Sequence, residues 1–261
     1  MHNNINNKVV LITGATSGIG LEIAKVFASQ GAKIAFNGFG NAEEAVKALE
    51  QINSDILYIN SDLEQANEIE NLVNQTIEKF SKIDILINNA GIQHVSPLQD
   101  FSIEMWNKII AVNLSASFHT MRLCLPHMQK NNWGRIINIA SVHGLAASAN
   151  KSAYVAAKHG IIGLTKAAAL EQASVSSNIT CNAICPGWVK TPLVEKQIIA
   201  KSQHLNISFE EAKYQLLSEK QPSKEFIEAA DLANLALFLC SESAKQVQGA
   251  AWNIDGGWLA Q

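Results

Sequence analysis

Tyr154 and Lys158 stand four positions apart in an alanine-rich run, residues 152–170, that reads as helix. Residues at i and i+4 share a helix face, so the phenol and the ammonium point at one place. A free tyrosine, with a pKa near ~10, is a poor base at neutral pH; a neighbouring cation favours the phenolate and lowers that value, at about 1.4 kcal/mol per unit. The pair therefore predicts acid–base chemistry on an acidified phenol. Ser141 directly follows the apolar Ile139-Ala140, where a strand end can present a hydroxyl to a substrate oxygen. Taken alone, any Tyr-x-x-x-Lys reads first as a helix-surface pair, and the elements upstream have to overturn that reading.

Those elements begin with Lys8-Val9-Val10-Leu11-Ile12-Thr13, a β-branched run that leads straight into Gly14-Ala15-Thr16-Ser17-Gly18-Ile19-Gly20. Ile23, Ala24, Val26 and Phe27 then recur at helical spacing, and Gly31 stops the helix. A strand, a glycine-rich turn and a helix N-terminus form an anion site, here spaced G-x-x-x-G-x-G rather than G-x-G-x-x-G. A second strand, 33–36, ends in Asn37-Gly38-Phe39-Gly40. There a dinucleotide-binding chain selects a ribose 2′-hydroxyl with an acid or a 2′-phosphate with a base. Neither residue type is present, and Ser17 rather than a cation precedes Gly18. A 2′-phosphate would lack a charge partner, so NAD is expected over NADP; Phe39 either crowds that phosphate or is a core residue. After a third strand, 56–59, Asp62-Leu63 either hold an adenine edge or, for Asp62, cap a helix over about 64–80. A fourth strand, 83–87, runs into Asn88-Asn89-Ala90-Gly91, whose amides either fix neighbouring strand ends beside a flat ligand or serve a turn.

Thr13-Gly14-x-x-x-Gly18-x-Gly20, Asn88-Asn89-Ala90-Gly91, Asn113, Ser141, Tyr154-x-x-x-Lys158 and Pro186-Gly187 occur in the order and spacing of the short-chain dehydrogenase/reductases. The chain resembles that family over essentially its whole length. The resemblance implies an α/β fold, a Rossmann-type doubly wound seven-stranded parallel sheet, and the alternation of strand and helix along the chain agrees. It casts Tyr154 as acid in ketone reduction and base in alcohol oxidation. Lys158 lowers its pKa and holds the nicotinamide ribose, and Ser141 positions the carbonyl oxygen. Asn113, in a helix read across 102–130, holds a water that relays protons to the lysine. The cofactor site implied, with NAD as cofactor, comprises Gly14, Thr16, Ser17, Gly18, Ile19, Gly20, Phe39, Asp62, Leu63, Asn89, Ala90, Gly91, Tyr154, Lys158, Pro186, Gly187, Val189 and Thr191.

Strands read at 134–140 and 179–185 deliver Ser141 and Pro186-Gly187-Trp188-Val189-Lys190-Thr191-Pro192 beyond their carboxyl ends, where open parallel sheets bind ligands. Residues 193–222 break the alternation with two helix-like pieces and read as a substrate lid. An amphipathic helix is expected over 225–240, then a last strand and glycine turn in 249–258. The family counterpart of that last segment lies at a subunit contact, which implies a homotetramer.

The polar residues near the motifs bear on the substrate. If Gln93, His143, Lys151 and Gln197 converge, they form a site for a small carboxylate. Singly, Lys151 is a solvated loop charge, Gln197 a helix-surface residue and His143 a satisfied loop imidazole. Gly91-Ile92-Gln93-His94-Val95, Ser141-Val142-His143-Gly144, Asn37-Gly38-Phe39-Gly40 and the run from Pro186 through Ile198 resemble the D-3-hydroxybutyrate dehydrogenase branch of the family. That resemblance implies a carboxylate bound by Gln93, His143, Lys151 and Gln197, a pocket closed by Trp188 and Trp258, and a reacting carbon faced by Ser141 and Tyr154. The implied reaction is the NAD-dependent, reversible oxidation of (R)-3-hydroxybutyrate to acetoacetate. Two alternatives stay open: another substrate, such as a 3-oxoacyl thioester or a sugar, and a catalytically silent NAD-sensing protein.

Composition sets the outer bounds. With 261 residues, 48% of them apolar, and a net charge of -3, the chain has the length of one α/β domain or two ordinary ones and is expected to offer no face to nucleic acid. The absence of repeats and low-complexity tracts, with the family resemblance, points to one domain over 1–261. The polar, Asn-rich opening from Met1 to Asn7 and the lack of a long apolar run predict a cytoplasmic protein with no membrane segment. Cys124, Cys181, Cys185 and Cys240 lack a completing ligand pattern and are expected as buried reduced thiols, with no metal.

Overall fold

In the computed structural model, which describes residues 5–260, the run Val9–Ile12 forms strand β1 and is buried at every position. A strand covered on both faces reads as a continuous apolar run, and that is the signature of a parallel sheet. The other strands are β2 Lys33–Phe36, β3 Ile56–Tyr58, β4 Ile85–Asn88, β5 Gly134–Ile139, β6 Ile179–Pro186 and β7 Ala251–Ile254. They form one seven-stranded sheet in the order β3-β2-β1-β4-β5-β6-β7, with every pairing parallel. The expected doubly wound architecture is what the chain adopts.

Helices α1 Gly18–Ser29 and α2 Ala42–Glu50 lie on one face of the sheet together with a late helix, Ala229–Leu239. There Ile23, Phe27, Leu49, Leu232 and Ala236 share a core with Val10 and Ile12. Helix α3 Ala66–Phe80 and the helix Ala116–Lys130 cover the other face, where Leu72, Met121 and Cys124 pack against Leu11, Leu86 and Ile136. Alternate strand residues thus feed opposite layers. Because β1 pairs with both β2 and β4, the chain leaves its carboxyl end in two directions and a crevice opens there.

Two expected elements differ. The single helix over 102–130 is three pieces: α4 Ile103–Ile110, a π turn Ala111–Ser115, and α5 Ala116–Lys130. The Ala116 N–H reaches back to the Ala111 carbonyl, an i→i+5 bond, and Asn113 sits inside the widened turn. A π turn accommodates one extra residue in a helix and concentrates at functional sites. The amphipathic helix expected over 225–240 begins only at Ala229; Ile227 instead forms an isolated parallel bridge with Val189. Phe226 packs on the lid residues Val194, Ile198 and Ala212 rather than on a helix face. The remaining helices are α6 Ser152–Val175, α7 Pro192–Leu205, α8 Phe209–Ser218 and α9 Ala229–Leu239. The lid is the α7–α8 pair, started by Thr191 as N-cap and restarted at α8 by a Ser208–Glu211 capping box. Of the polar opening, Met1–Asn4 lie outside the described residues.

A chain of buried polar side chains crosses the sheet. The Thr120 hydroxyl donates to Asn88 Oδ1 at 2.6 Å, Asn88 Nδ2 donates to Asn138 Oδ1 at 2.8 Å, and Asn138 Nδ2 donates to Thr165 Oγ1 at 2.8 Å. It ties α5, β4 and β5 to α6, the helix that carries Tyr154 and Lys158. Asn138→Ala leaves Asn88 Nδ2 unpaired in the interior, and we expect the unfolding free energy from urea titration to drop by about 2–3 kcal/mol. A change under about 0.5 kcal/mol, typical of surface sites, would show that the chain does not hold α6.

Candidate active site

At the carboxyl ends of β4, β5 and β6 lies a cavity of about 130 Å³, lined by Gln93, Ser141, His143, Lys151, Tyr154, Lys158, Trp188, Gln197 and Trp258. All eight side chains expected to meet a substrate therefore converge, from five separate stretches of sequence. Lys151 is the N-cap residue of α6 and its Nζ stands 5.2 Å from the Trp188 ring centroid, so it is a cavity cation rather than a loop charge. His143 sits edge-on to Tyr154 and Trp258, at 5.9 and 5.5 Å between centroids. The sequence reading missed Val194, a buried lid residue in the same wall; its position one turn before Gln197 on α7 was the available signal. His94, beside Gln93, meets Phe101 edge-to-face instead.

The catalytic groups sit on rigid supports. Lys158 is 4% exposed and donates to the Ile139 carbonyl at 2.7 Å, with its Nζ 5.6 Å from the Tyr154 ring centroid. Ser141 Oγ accepts the His143 N–H at 3.1 Å and lies 3.3 Å from His143 Nδ1, while His143 Nε2 meets Ser148 Oγ at 2.9 Å. Asn113 Oδ1 accepts from the Ile92 N–H and its Nδ2 donates to the Ile92 carbonyl, both at 2.9 Å. Its amide thus ties the π turn to the Ile92 backbone at both ends.

A second cavity, about 400 Å³, adjoins the first and is shared through Ile19, Asn89 and Thr191. Gly14, Thr16, Ser17, Gly18, Phe39, Leu63, Ala90 and Gly91 line it. Gly14 has φ +66°, and a Cβ there would lie 2.8 Å from Ala90 Cα; only glycine tolerates both. No side chain caps the first turn of α1, which leaves its N–H groups to an anion. Asn89 secures the crevice by donating to the Thr13 and Gly14 carbonyls at 3.0 and 2.8 Å, and Thr13 Oγ1 accepts the Asn89 and Ala90 N–H groups in return. Phe39 is 69% exposed at the rim, which excludes the core reading. Asp62 accepts the Glu64 N–H at 2.9 Å, whereas the N-cap of α3 is Gln65, so capping that helix is not its task. Leu63 and Glu64 face the cavity. Gly20 packs against Asn89 and Gly14 beneath it, and Pro186, Gly187 and Val189 line the inner cavity instead. The cation on this cleft, Lys108, is paired with Glu64 at 2.6 Å. The glycine cradle and open helix N-terminus fit a dinucleotide pyrophosphate.

A family model described as short chain dehydrogenase matches residues 8–201. The chain belongs to the short-chain dehydrogenase family. It is 55% identical to the D-beta-hydroxybutyrate dehydrogenase of Cupriavidus necator, over 98% of this chain and 100% of that one. Identity to the enzyme of the same name from Rhizobium meliloti is 48%, over 97% and 99%. Among solved structures, L-sorbose reductase from Gluconobacter frateurii, complexed with NADPH and L-sorbose, aligns over all of both chains with a TM-score of 0.94 at 29% identity. Levodione reductase aligns over 98% and 99% with a TM-score of 0.90 at 33% identity. The protein is accordingly a short-chain oxidoreductase that uses a nicotinamide cofactor. Among the described residues no helix is long and apolar enough to cross a membrane, and no group of three or more His, Cys, Asp or Glu is placed to hold a metal.

The electrostatics of this short-chain dehydrogenase correct one expectation. The i,i+4 pair does not by itself acidify Tyr154: burial pushes its phenol up to about 12, and the opposing influence is the hydrogen bond with Ser141. Tyr154 is half-buried and lines the cavity. Burial also brings Lys158 down to about 8. The two proton affinities shift in opposite directions because desolvation penalises the charged form of each group. His143 falls to about 4, from burial first and then the nearby Lys151 charge, so it stays neutral at physiological pH. Its folded pKa lies below the ordinary value of 6.5; the unfolded chain therefore binds the extra proton between these limits, and stability falls as pH drops through them. Urea titrations from pH 6.5 down to about 4 should show unfolding free energy declining less steeply in His143→Gln than in the wild type. Parallel declines would mean that His143 titrates in the folded state as it does in water.

Proposed function

We propose that the protein is an NAD-dependent (R)-3-hydroxybutyrate dehydrogenase that interconverts the hydroxy acid and acetoacetate. The observation that carries this reading is a cavity of about 130 Å³ whose lining holds the ammoniums of Lys151 and Lys158 and, among the described residues, no carboxylate. Lys151 forms no ion pair among the described residues. Gln93 Nε2 and Trp188 Nε1 are buried without a hydrogen-bond partner. Unpaired buried donors around a fixed cation suit a carboxylate, and so small a volume suits a short one.

Lys151, Gln93, His143 and Gln197 hold the carboxylate, which places the C3 hydroxyl at Ser141 and Tyr154. The Ser141 hydroxyl orients the reacting oxygen, and Tyr154 takes its proton in oxidation and returns it in reduction. A bound oxidised nicotinamide supplies the acceptor for the hydride leaving C3 and a positive charge that favours phenolate over phenol. Lys158 is poised near neutrality to pass the proton on toward the π turn at Asn113. NAD is favoured over NADP because Lys108, the cation on the cofactor cleft, is already neutralised by Glu64. The remaining expected cofactor contact, Asp62, belongs to this reading as an adenine partner. The reading includes a cytoplasmic homotetramer: four buried free thiols suit a reducing compartment, and exposed Phe118 and Leu170 on α5 and α6 are apolar surface available to a second copy.

Absorbance assays of NADH formation should show turnover with the R enantiomer, little with the S, and preference for NAD over NADP; rejection of both enantiomers would refute the substrate. Lys151→Ala should raise the KM for the acid about tenfold to a hundredfold, the value of a charge-assisted hydrogen bond, and leave the KM for NAD in place. Tyr154→Phe should fold normally and lose at least about two orders of magnitude in kcat. Residual activity near wild type would remove the phenol from proton transfer.

A further inference from the structure

Gln221 is completely buried and lines neither cavity of the site. An interior amide is costly unless both ends are hydrogen-bonded, and both are. Oε1 accepts the Trp188 N–H at 2.9 Å, and Nε2 donates to the Glu225 carbonyl. The side chain therefore joins the stem that enters the lid, just before α7, to the stem that leaves it, just after α8. Further bonds clamp the same stems: the Ile227 N–H to the Trp188 carbonyl at 2.9 Å, and the Lys190 N–H to the Ile227 carbonyl at 3.1 Å. Gln221 also fills the space above two glycines. A Cβ on Gly187 would come within 2.6 Å of its Oε1, and one on Gly256 within 2.7 Å of its Cγ. The Ser223 N–H donates to the Gly256 carbonyl at 3.0 Å. Trp188 and Trp258, with ring centroids 5.7 Å apart, form one wall of the inner cavity. Gln221 thus holds the backbone of the first tryptophan and supports the turn Asp255-Gly256-Gly257 that leads to the second.

We propose that Gln221 is a positioning residue for the substrate pocket. It touches neither the substrate nor the cofactor; it sets the placement of Trp188 and Trp258, and through them the affinity for the acid and the chain length admitted. The proposal rests on the reading of the cavity as a short hydroxy-acid site. Its physical basis is that an aromatic wall discriminates by size only while its backbone is fixed.

Two substitutions test it. Gln221→Met keeps the volume and removes both hydrogen bonds. The KM for (R)-3-hydroxybutyrate should rise about tenfold while kcat and the KM for NAD stay in place, a loss of binding rather than of chemistry. Discrimination against 3-hydroxypentanoate should narrow. Gln221→Glu retains an acceptor and, when protonated, an O–H donor, and burial favours that protonated form. Its KM should match wild type in mild acid and climb toward that of Gln221→Met as pH rises, a dependence absent from wild type. Lower melting temperatures with unchanged KM, chain-length ratio and pH profile would indicate a merely structural role and overturn the proposal. If Gln221→Met does not fold, the pH profile of Gln221→Glu decides alone. Inactivity of the wild type toward 3-hydroxybutyrate would refute the substrate reading instead. Gln221 is then tested by hydrogen exchange at the Trp188 amide, which should quicken in Gln221→Met and, if unchanged, sinks the positioning role.

Discussion

A lysine ammonium held inside the protein by a backbone carbonyl is the interaction on which this site depends. Lys158 is 4% exposed and donates to Ile139 at 2.7 Å, and no ion pair neutralises it among the described residues. Such a group costs several kcal/mol to bury, and the cost shows as a pKa brought down to about 8. The surrounding fold must hold that charge in place. The carboxyl end of β5 at Ile139, the buried polar chain from Thr120 to Thr165, and the close fit of Gly144 and Gly160 against α6 and Leu114 all serve this end.

Tyr154 is the counterpart. Burial makes its phenol reluctant to ionise, with Ser141 acting the other way. A weakly acidic phenol is a strong base once ionised, and a lysine with reduced proton affinity stands one helical turn away. The two shifts run in opposite directions, so of the pair the phenol is the harder to deprotonate and the ammonium the easier. The π turn at Asn113 adds to this by opening the helix backbone where the amide side chain is already bound to Ile92.

The substrate side follows a different rule. Neutral His143, the Gln93 amide, the Trp188 indole and the Lys151 ammonium line a volume of about 130 Å³. With the imidazole uncharged, the positive charge of the lining comes from Lys151 and Lys158, so electrostatics orients an acid while shape limits its length. The wall that limits length is itself held from outside, by a side chain at the far root of the lid.

Local chemistry explains what was legible in the sequence. The buried strand runs, the glycine turn after β1, Asn89 at the strand end and the Tyr154–Lys158 spacing each reflect constraints acting within a few residues, and composition records such constraints directly. Gln93, His143, Lys151 and Gln197 could be suspected from their nearness to motifs, yet only the packing of separate βα connections brought them to one cavity. The helix over 102–130 looked continuous because no glycine or proline marks the π turn between Ile110 and Ala116. The phenol's proton affinity was misjudged because the helical neighbour is visible in sequence, whereas the burial that outweighs it is a property of the assembled interior. Gln221 gave no sign at all: its partner Trp188 lies 33 positions away, and an amide's meaning depends on which backbone the fold places at its two ends.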